Sequence, residues 1–225
     1  MTPEEEKWFD NPDRYRVQME GRWDLADLYE FPHAFEQCYS FINCFDAEVQ
    51  PIDSNNIVLA LRALPWNGGY SYINIYSVLH REINWRDRPR VSEIKYASPG
   101  WIELALNLGV AIEVAKAVAA ISVSSAVAMK SYTTASKYLS GLKTAREKAK
   151  LADLKLTVEQ DVALMKLCET HAKFLGFKSV KALTEQTGNP EITLRLLLAH
   201  HRRLRDLAKF QEEEKAILLP FRTES

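Results

Sequence analysis

Between Arg88 and Met129 the spacing of apolar residues changes period twice. Ile94 and Tyr96 alternate with polar neighbours, the pattern of a half-buried strand. Ser98-Pro99-Gly100 punctuates the chain as a turn. Ile102, Leu104, Leu106 and Leu108 then alternate with Glu103, Ala105 and Asn107, which predicts a second strand. After Gly109 the period becomes helical, with Val110, Val114, Val118 and Ile121 on one face. Ala111, Ala115, Ala119, Ser122 and Ala126 lay small residues along one side of the same long helix, and such a row lets another helix approach closely.

The flanking segments extend this picture. Alternation of Tyr15, Val17, Met19 and Gly21 with charged and polar residues predicts a strand over Tyr15 to Trp23. Asp24 can cap a helix reaching about Phe45, through Leu25, Leu28, Phe31, Phe35, Tyr39 and Ile42, with Pro32 a point where it can break. Asp53 to Asn56 reads as a turn and Ile57 to Leu64 as an apolar run of either type. The loop Pro65 to Gly69 precedes a helix over Tyr70 to Ile83. Beyond Val110 no strand is expected. Helices are expected over 157–175, 178–187 and 190–215, with Asn189-Pro190 separating the last two.

The fold class that follows is α+β. A small N-terminal sheet and its helices pack on a long helix rich in small residues, and a mostly helical C-terminal region follows. The expected organisation is a solvated tail at 1–13, an α+β region at 14–129, a basic helical connector at 130–155 and a helical region at 156–225.

Charge adds one feature. The whole chain has a net charge of −1, so no global pull toward nucleic acid or anionic membrane exists. Residues 1–100, however, hold 10 Lys/Arg and 16 Asp/Glu, whereas 101–225 hold 19 and 14. Such asymmetry suits an acidic face docking a basic one, within or between chains. The connector concentrates the basic side in Lys130, Lys137, Lys143, Arg146, Lys148, Lys150 and Lys155, against Glu147 and Asp153. The Ala/Val-rich segment is uncharged only from Ala117 to Met129, short of the roughly 18–20 residues a membrane span needs. No membrane span is expected, and the acidic start of the chain lacks the apolar stretch of a secretory signal. Three cysteines without C-x-x-C spacing read as reduced thiols of a cytoplasmic protein.

Candidate chemistry is sparse. No H-E-x-x-H, Walker-type, G-x-G-x-x-G or G-x-S-x-G motif is present, so no catalytic residue, metal or cofactor is expected. Gly68-Gly69 before a helix suits a turn and cap as well as a phosphate cradle. Cys38 stands five residues from His33, but a buried thiol accounts for it. His200 and His201 read as surface histidines beside an arginine cluster. The aromatics crowded into the N-terminal half read as core, with a ligand pocket as the sharper alternative. Val180 to Leu197, followed by Arg202, Arg203 and Arg205, loosely follows helix-turn-helix logic, with Leu183, Gly188, Leu194 and Leu197 at apolar and turn positions. The end that would read bases shows Glu191 and Thr193 rather than cations.

At Pro65-Trp66-Asn67-Gly68-Gly69-Tyr70-Ser71, and again from Ile94 to Leu104, the chain resembles uncharacterised bacterial proteins that carry a PW-GGYS loop and a YASPG-IEL turn before a long helix. The resemblance covers about residues 14–125. It implies a bacterial cytosolic origin and brings no activity or catalytic residues with it.

The expected function is therefore non-catalytic: a self-associating or partner-binding protein. Its expected interface is Ala111, Ala115, Ala119, Ser122 and Ala126. The alternative is a nucleic-acid-binding protein using the segment 180–205. Nucleic acid or an acidic partner would meet Lys143, Arg146, Lys148, Lys150, Arg195, Arg202, Arg203 and Arg205. An enzyme of unknown class comes third.

Overall fold

Tyr15, Val17 and Met19 lie on one side of the first strand, β1 (Arg14–Met19), and all three are buried, so β1 starts the core. The computed structural model describes residues 14–45, 57, 59, 75–97, 100–149, 156–175, 177 and 180–218. After β1 come α1 (Leu25–Phe45), α2 (Ile75–Glu82), β2 (Arg90–Lys95) and β3 (Gly100–Ala105). Then follow α3 (Leu108–Val123), α4 (Ser125–Ala149), α5 (Val158–Phe174), α6 (Lys181–Thr187), α7 (Pro190–Glu212) and β4 (Ala216–Ile217). The architecture is α+β and mostly helical, with one antiparallel sheet of order β2-β3-β1-β4. The tail 1–13, most of 46–74 including Gly68-Gly69 and all of the 57–64 run except Ile57 and Leu59, Ser98-Pro99 of the expected turn, and residues 150–155 including Lys150 fall outside the described residues.

The ends of the helices are set by local chemistry. Asp24 and Asp27 exchange backbone-to-carboxylate hydrogen bonds at the start of α1 (3.0 and 2.9 Å), which satisfies two amides that the helix itself leaves unbonded. Pro32 lies inside α1 without ending it. Asn107 caps α3, accepting a bond from the Val110 amide, and Tyr39 of α1 ties the same point down. Its hydroxyl accepts from the Asn107 amide (3.0 Å) and donates to the Asp87 carbonyl (2.6 Å). Thr157 and Gln160 form a capping box on α5. Gly188 closes α6 at φ +63°, and Asn189 then caps α7 with Pro190 in its first turn.

Four expectations change. The long helix ends at Val123, and the chain turns by 94° before α4. The hydroxyls of Ser122 and Ser124 bond the carbonyls four residues back, competition that weakens a helix at that point. Ile94 and Tyr96 are exposed, because β2 is an edge strand whose outward side nothing described covers. Leu25, assigned to the apolar face of α1, is exposed at the helix's first turn. A short strand, β4, does occur near the end of the described chain and pairs with β1.

The core runs without interruption from the sheet into the C-terminal helices. α7 is buried along most of its length and packs on α1, α3 and α5. Trp23 and Phe31 meet Phe210 edge-on or tilted, with ring centroids 5.3 to 5.6 Å apart, which joins the start of α1 to the end of α7.

Glu103 is only 1% exposed on β3, although simple alternation sets it opposite the apolar residues of that strand. Arg14 and Arg16 from β1 bond its two oxygens at 2.7 and 2.6 Å, and the Ser92 hydroxyl adds a third bond. Burial pushes its carboxyl up, but these bonds outweigh that and hold it below the usual carboxylate range. The two guanidiniums are about half exposed, so the site is asymmetric. Arg14→Ala with Arg16→Ala strands a buried carboxylate and is expected to cost about 3–5 kcal/mol. Glu103→Gln leaves two solvated cations and is expected to cost only about 1–2 kcal/mol. Urea denaturation of both variants at neutral pH checks the order, and equal losses would refute it.

Candidate functional site

α4 is 25 residues long, about 37 Å at 1.5 Å per residue, and its buried side chains are confined to a narrow stripe including Ala128, Ala135, Leu139 and Leu142. The opposite side is exposed and basic. Lys130, Lys137 and Lys148 stand 7 and 11 residues apart, spacings that keep them on one side of a helix. Lys143 is also exposed, with Glu147 3.8 Å away as a loose surface partner of little energetic weight.

Two arginines of α7 reach the N-terminal end of this helix. Arg202 donates to the Tyr132 hydroxyl (3.1 Å) and Arg205 leans on the Met129 sulfur (2.9 Å). The structure thus brings together two basic segments more than fifty residues apart in sequence. Other members of the expected contact set are engaged elsewhere. Arg146 and Arg195 both grip Glu191, at 2.8 and 2.7 Å, and Arg203 pairs with Asp206 at 3.4 Å while lying over the Tyr76 ring. Burial works against the Glu191 charge, and the bonds from Arg146 and Arg195 overcome it to hold its carboxyl below the usual range.

This arrangement disfavours base reading by α7. The end of α7 that a helix-turn-helix would insert in a groove is covered: Glu191 is buried, and Thr193 is buried with its hydroxyl 2.6 Å from that of Thr187. The small-residue row is divided as well. Ala111 and Ala115 are buried by the chain itself on α3, which packs against α1 and α7. Ala119 and Ser122 are half-buried, and Ala126 is exposed on α4 beyond the bend.

Beneath the Arg202 and Arg205 guanidiniums lies a group that surface reasoning misplaces. His200 and His201 are buried, not on the surface, and His171 from α5 joins them. The His171 and His201 rings stack with centroids 4.9 Å apart, Tyr132 covers His201 at 5.0 Å, and His200 lies flat on Phe41 at 4.1 Å. Ser131 Oγ is 3.1 Å from His171 Nδ1. The remaining ring nitrogens of the three histidines have no hydrogen-bond partner among the described residues. Burial first, and neighbouring cations or imidazoles second, hold all three neutral. The signal for this burial is periodic: His201 stands four residues after Leu197 and three before Leu204, on the apolar stripe of α7.

Among the described residues, no group of three or more His, Cys, Asp or Glu side chains is arranged to hold a metal ion. Cys38, Cys44 and Cys168 are buried free thiols, and burial raises each above its ordinary range. Cys38 is inside the core while His33 is exposed, so they do not form a nucleophile–base pair. No single described helix is long and apolar enough to cross a membrane. No protein-family model, curated protein or solved structure matches the chain.

Proposed function

We propose that the protein is a non-catalytic binding protein that docks an acidic protein surface on the basic side of α4, the acidic half of a second copy being the first partner to test. The observation that carries this reading is the exposed set Lys130, Lys137, Lys143 and Lys148 on a helix with Glu147 as its one acidic residue, braced by Arg202 and Arg205. Residues 1–100 carry the opposite net charge, and their acidic excess falls in 1–13 and 46–74, outside the described residues. Because Ala111 and Ala115 are covered within the chain, the association rests on charge rather than on the small-residue row. The resemblance at the PW-GGYS and YASPG-IEL segments supports a bacterial cytosolic setting.

Light scattering at micromolar concentration tests the reading. A dimer is expected at low salt and a monomer near 1 M salt, where the screening length falls to about 3 Å. Lys130→Glu with Lys137→Glu and Lys148→Glu is expected to give a monomer at every salt concentration. A wild-type monomer at low salt would end self-association. Nucleic acid is the second reading, favoured by the nearness of Arg202 and Arg205 to α4. It requires duplex affinity to fall with salt at a slope near −0.9 per phosphate contacted. Arg202→Ala with Arg205→Ala would then flatten that slope by about 2, one unit per lost phosphate contact.

A further inference from the structure

α1 and α2 pack side by side, and a cleft of about 280 Å³ opens between them. His33, Glu36, Gln37 and Ser40 line it from α1, at spacings of three, four and seven residues that place them on one helix stripe. Ser77 and His80 line it from α2. Glu36 Oε1 is 2.9 Å from His80 Nδ1, and the Gln37 amide nitrogen is 2.9 Å from His33 Nε2. The two deepest polar groups are left over. Gln37 and Ser40 are 4% and 1% exposed, yet Gln37 Oε1 and Ser40 Oγ have no hydrogen-bond partner among the described residues. Buried polar atoms are nearly always paired, because leaving them unpaired carries their full desolvation cost. Two residues that line one cleft and each carry such an atom mark a place where an outside molecule completes the pairing.

The cleft has an apolar neighbour. A second cavity, of about 290 Å³, lies between the first half of α1 and the sheet, walled by Leu28, Phe31, Phe35, Ile102 and Leu104. His33 and Glu36 line both cavities, so that pair lies at the boundary between them. One lobe removes hydrocarbon from water and the other presents an amide and a hydroxyl, the division of labour found in small-molecule sites. The head group is constrained by charge. An anionic head would meet Glu36, and a cationic head would meet Arg81. A neutral group with a donor and an acceptor meets neither penalty and suits both leftover atoms.

We propose that the α1–α2 cleft binds a small molecule whose apolar ring or branched chain fills the lobe against the sheet and whose neutral carboxamide or hydroxyl head bonds Gln37 and Ser40. The site is separate from the basic side of α4 and does not depend on it.

A matched series with one hydrocarbon body tests the proposal: hydrocinnamamide, hydrocinnamyl alcohol, hydrocinnamate and phenylpropylamine. Each is titrated against the full chain to millimolar concentration, with binding read by ligand-observed NMR and by the rise in melting temperature that binding to the folded state produces. The amide and the alcohol are expected to bind at least roughly tenfold more tightly than the two charged analogues, a difference of about 1.4 kcal/mol. Gln37→Met with Ser40→Ala removes both leftover polar atoms. It is expected to raise the melting temperature of the free protein while weakening the amide by roughly tenfold or more, again about 1.4 kcal/mol. Equal binding of all four heads, unchanged amide binding in the double variant, or no binding of any of the four to the wild-type chain would overturn the proposal. The head-group ranking is read on the wild-type chain alone, so it holds whatever the variant does.

Discussion

Lowering the pH from about 7.5 to about 5 is expected to cost the fold on the order of 6 kcal/mol, near 2 kcal/mol for each of His171, His200 and His201. Burial, with His201, holds His171 down to about 3; burial, with the other two imidazoles, holds His200 at about 3; burial, with Arg205 and Arg202, holds His201 at about 4. The ordinary value for an unfolded imidazole is 6.5. Between those limits the unfolded chain binds more protons than the folded one. The stabilising effect of keeping the rings neutral is therefore complete above 6.5 and drains away as pH falls toward the folded values. The groups that face the cluster are Ser131, Tyr132 and Met129 from α4, Phe41 from α1, Phe177, and Arg202 and Arg205 from α7 itself. None is a carboxylate that would welcome an imidazolium. Since a typical domain is stable by only about 5–15 kcal/mol, the protein is expected to open in mild acid. Denaturation curves across this range measure the slope. His200→Leu with His201→Leu should leave about one third of it, and a flat wild-type profile would refute the buried neutral cluster.

Glu191→Ala is expected to cost about 3 kcal/mol and, at the same time, to strengthen binding of an acidic partner. Glu191 neutralises Arg146 and Arg195, whose side chains are 23% and 17% exposed, so its loss leaves two partly buried guanidiniums facing each other. Their remaining access to water sets the cost at the lower end for a broken buried pair. The freed Arg146 lies on α4 and adds to the basic side. A variant that loses stability without any gain in affinity would mean that Arg146 stays turned inward. Acid separates this contact from the histidines. The Glu191 carboxyl lies below 4.5 in the fold, so its contribution is present above that value and is lost as pH falls through the lower folded one. The histidines have surrendered most of theirs before that point.

Much of the fold was legible along the chain because it depends on neighbours in sequence. The two periods on either side of Ser98-Pro99-Gly100 place β2, β3 and α3, and Asn189-Pro190 marks the start of α7 within a residue. Gly100 admits no side chain: an added Cβ would fall 2.6 Å from the Lys95 carbonyl oxygen and 2.8 Å from that of Ala97. What escaped was set by partners far away. Whether Glu103 faces water depends on Arg14 and Arg16, nearly ninety residues earlier. Whether His200 and His201 are inside depends on Phe41 and Tyr132 being there to stack on them. The basic residues look alike in sequence, and only the position of Glu191 separates Arg146 and Arg195 from the lysines that face solvent. Ser124 carries no breaker signature, so the end of α3 was hidden in a run of small residues.

The pairing of β4 with β1 has a consequence for synthesis. Trp23 Nε1 donates to the Lys215 carbonyl across 192 residues, the Glu20 amide does the same, and the Lys215 ammonium is 2.9 Å from Asp27. A chain emerging from the ribosome at roughly 5–20 residues per second carries β1 for ten seconds or more before its partner strand exists. During that interval one flank of β1 is an open edge and Trp23 lacks the Phe210 ring beside it. The nascent protein passes through a half-zipped state, and α7 and β4 decide when that flank of β1 is sealed.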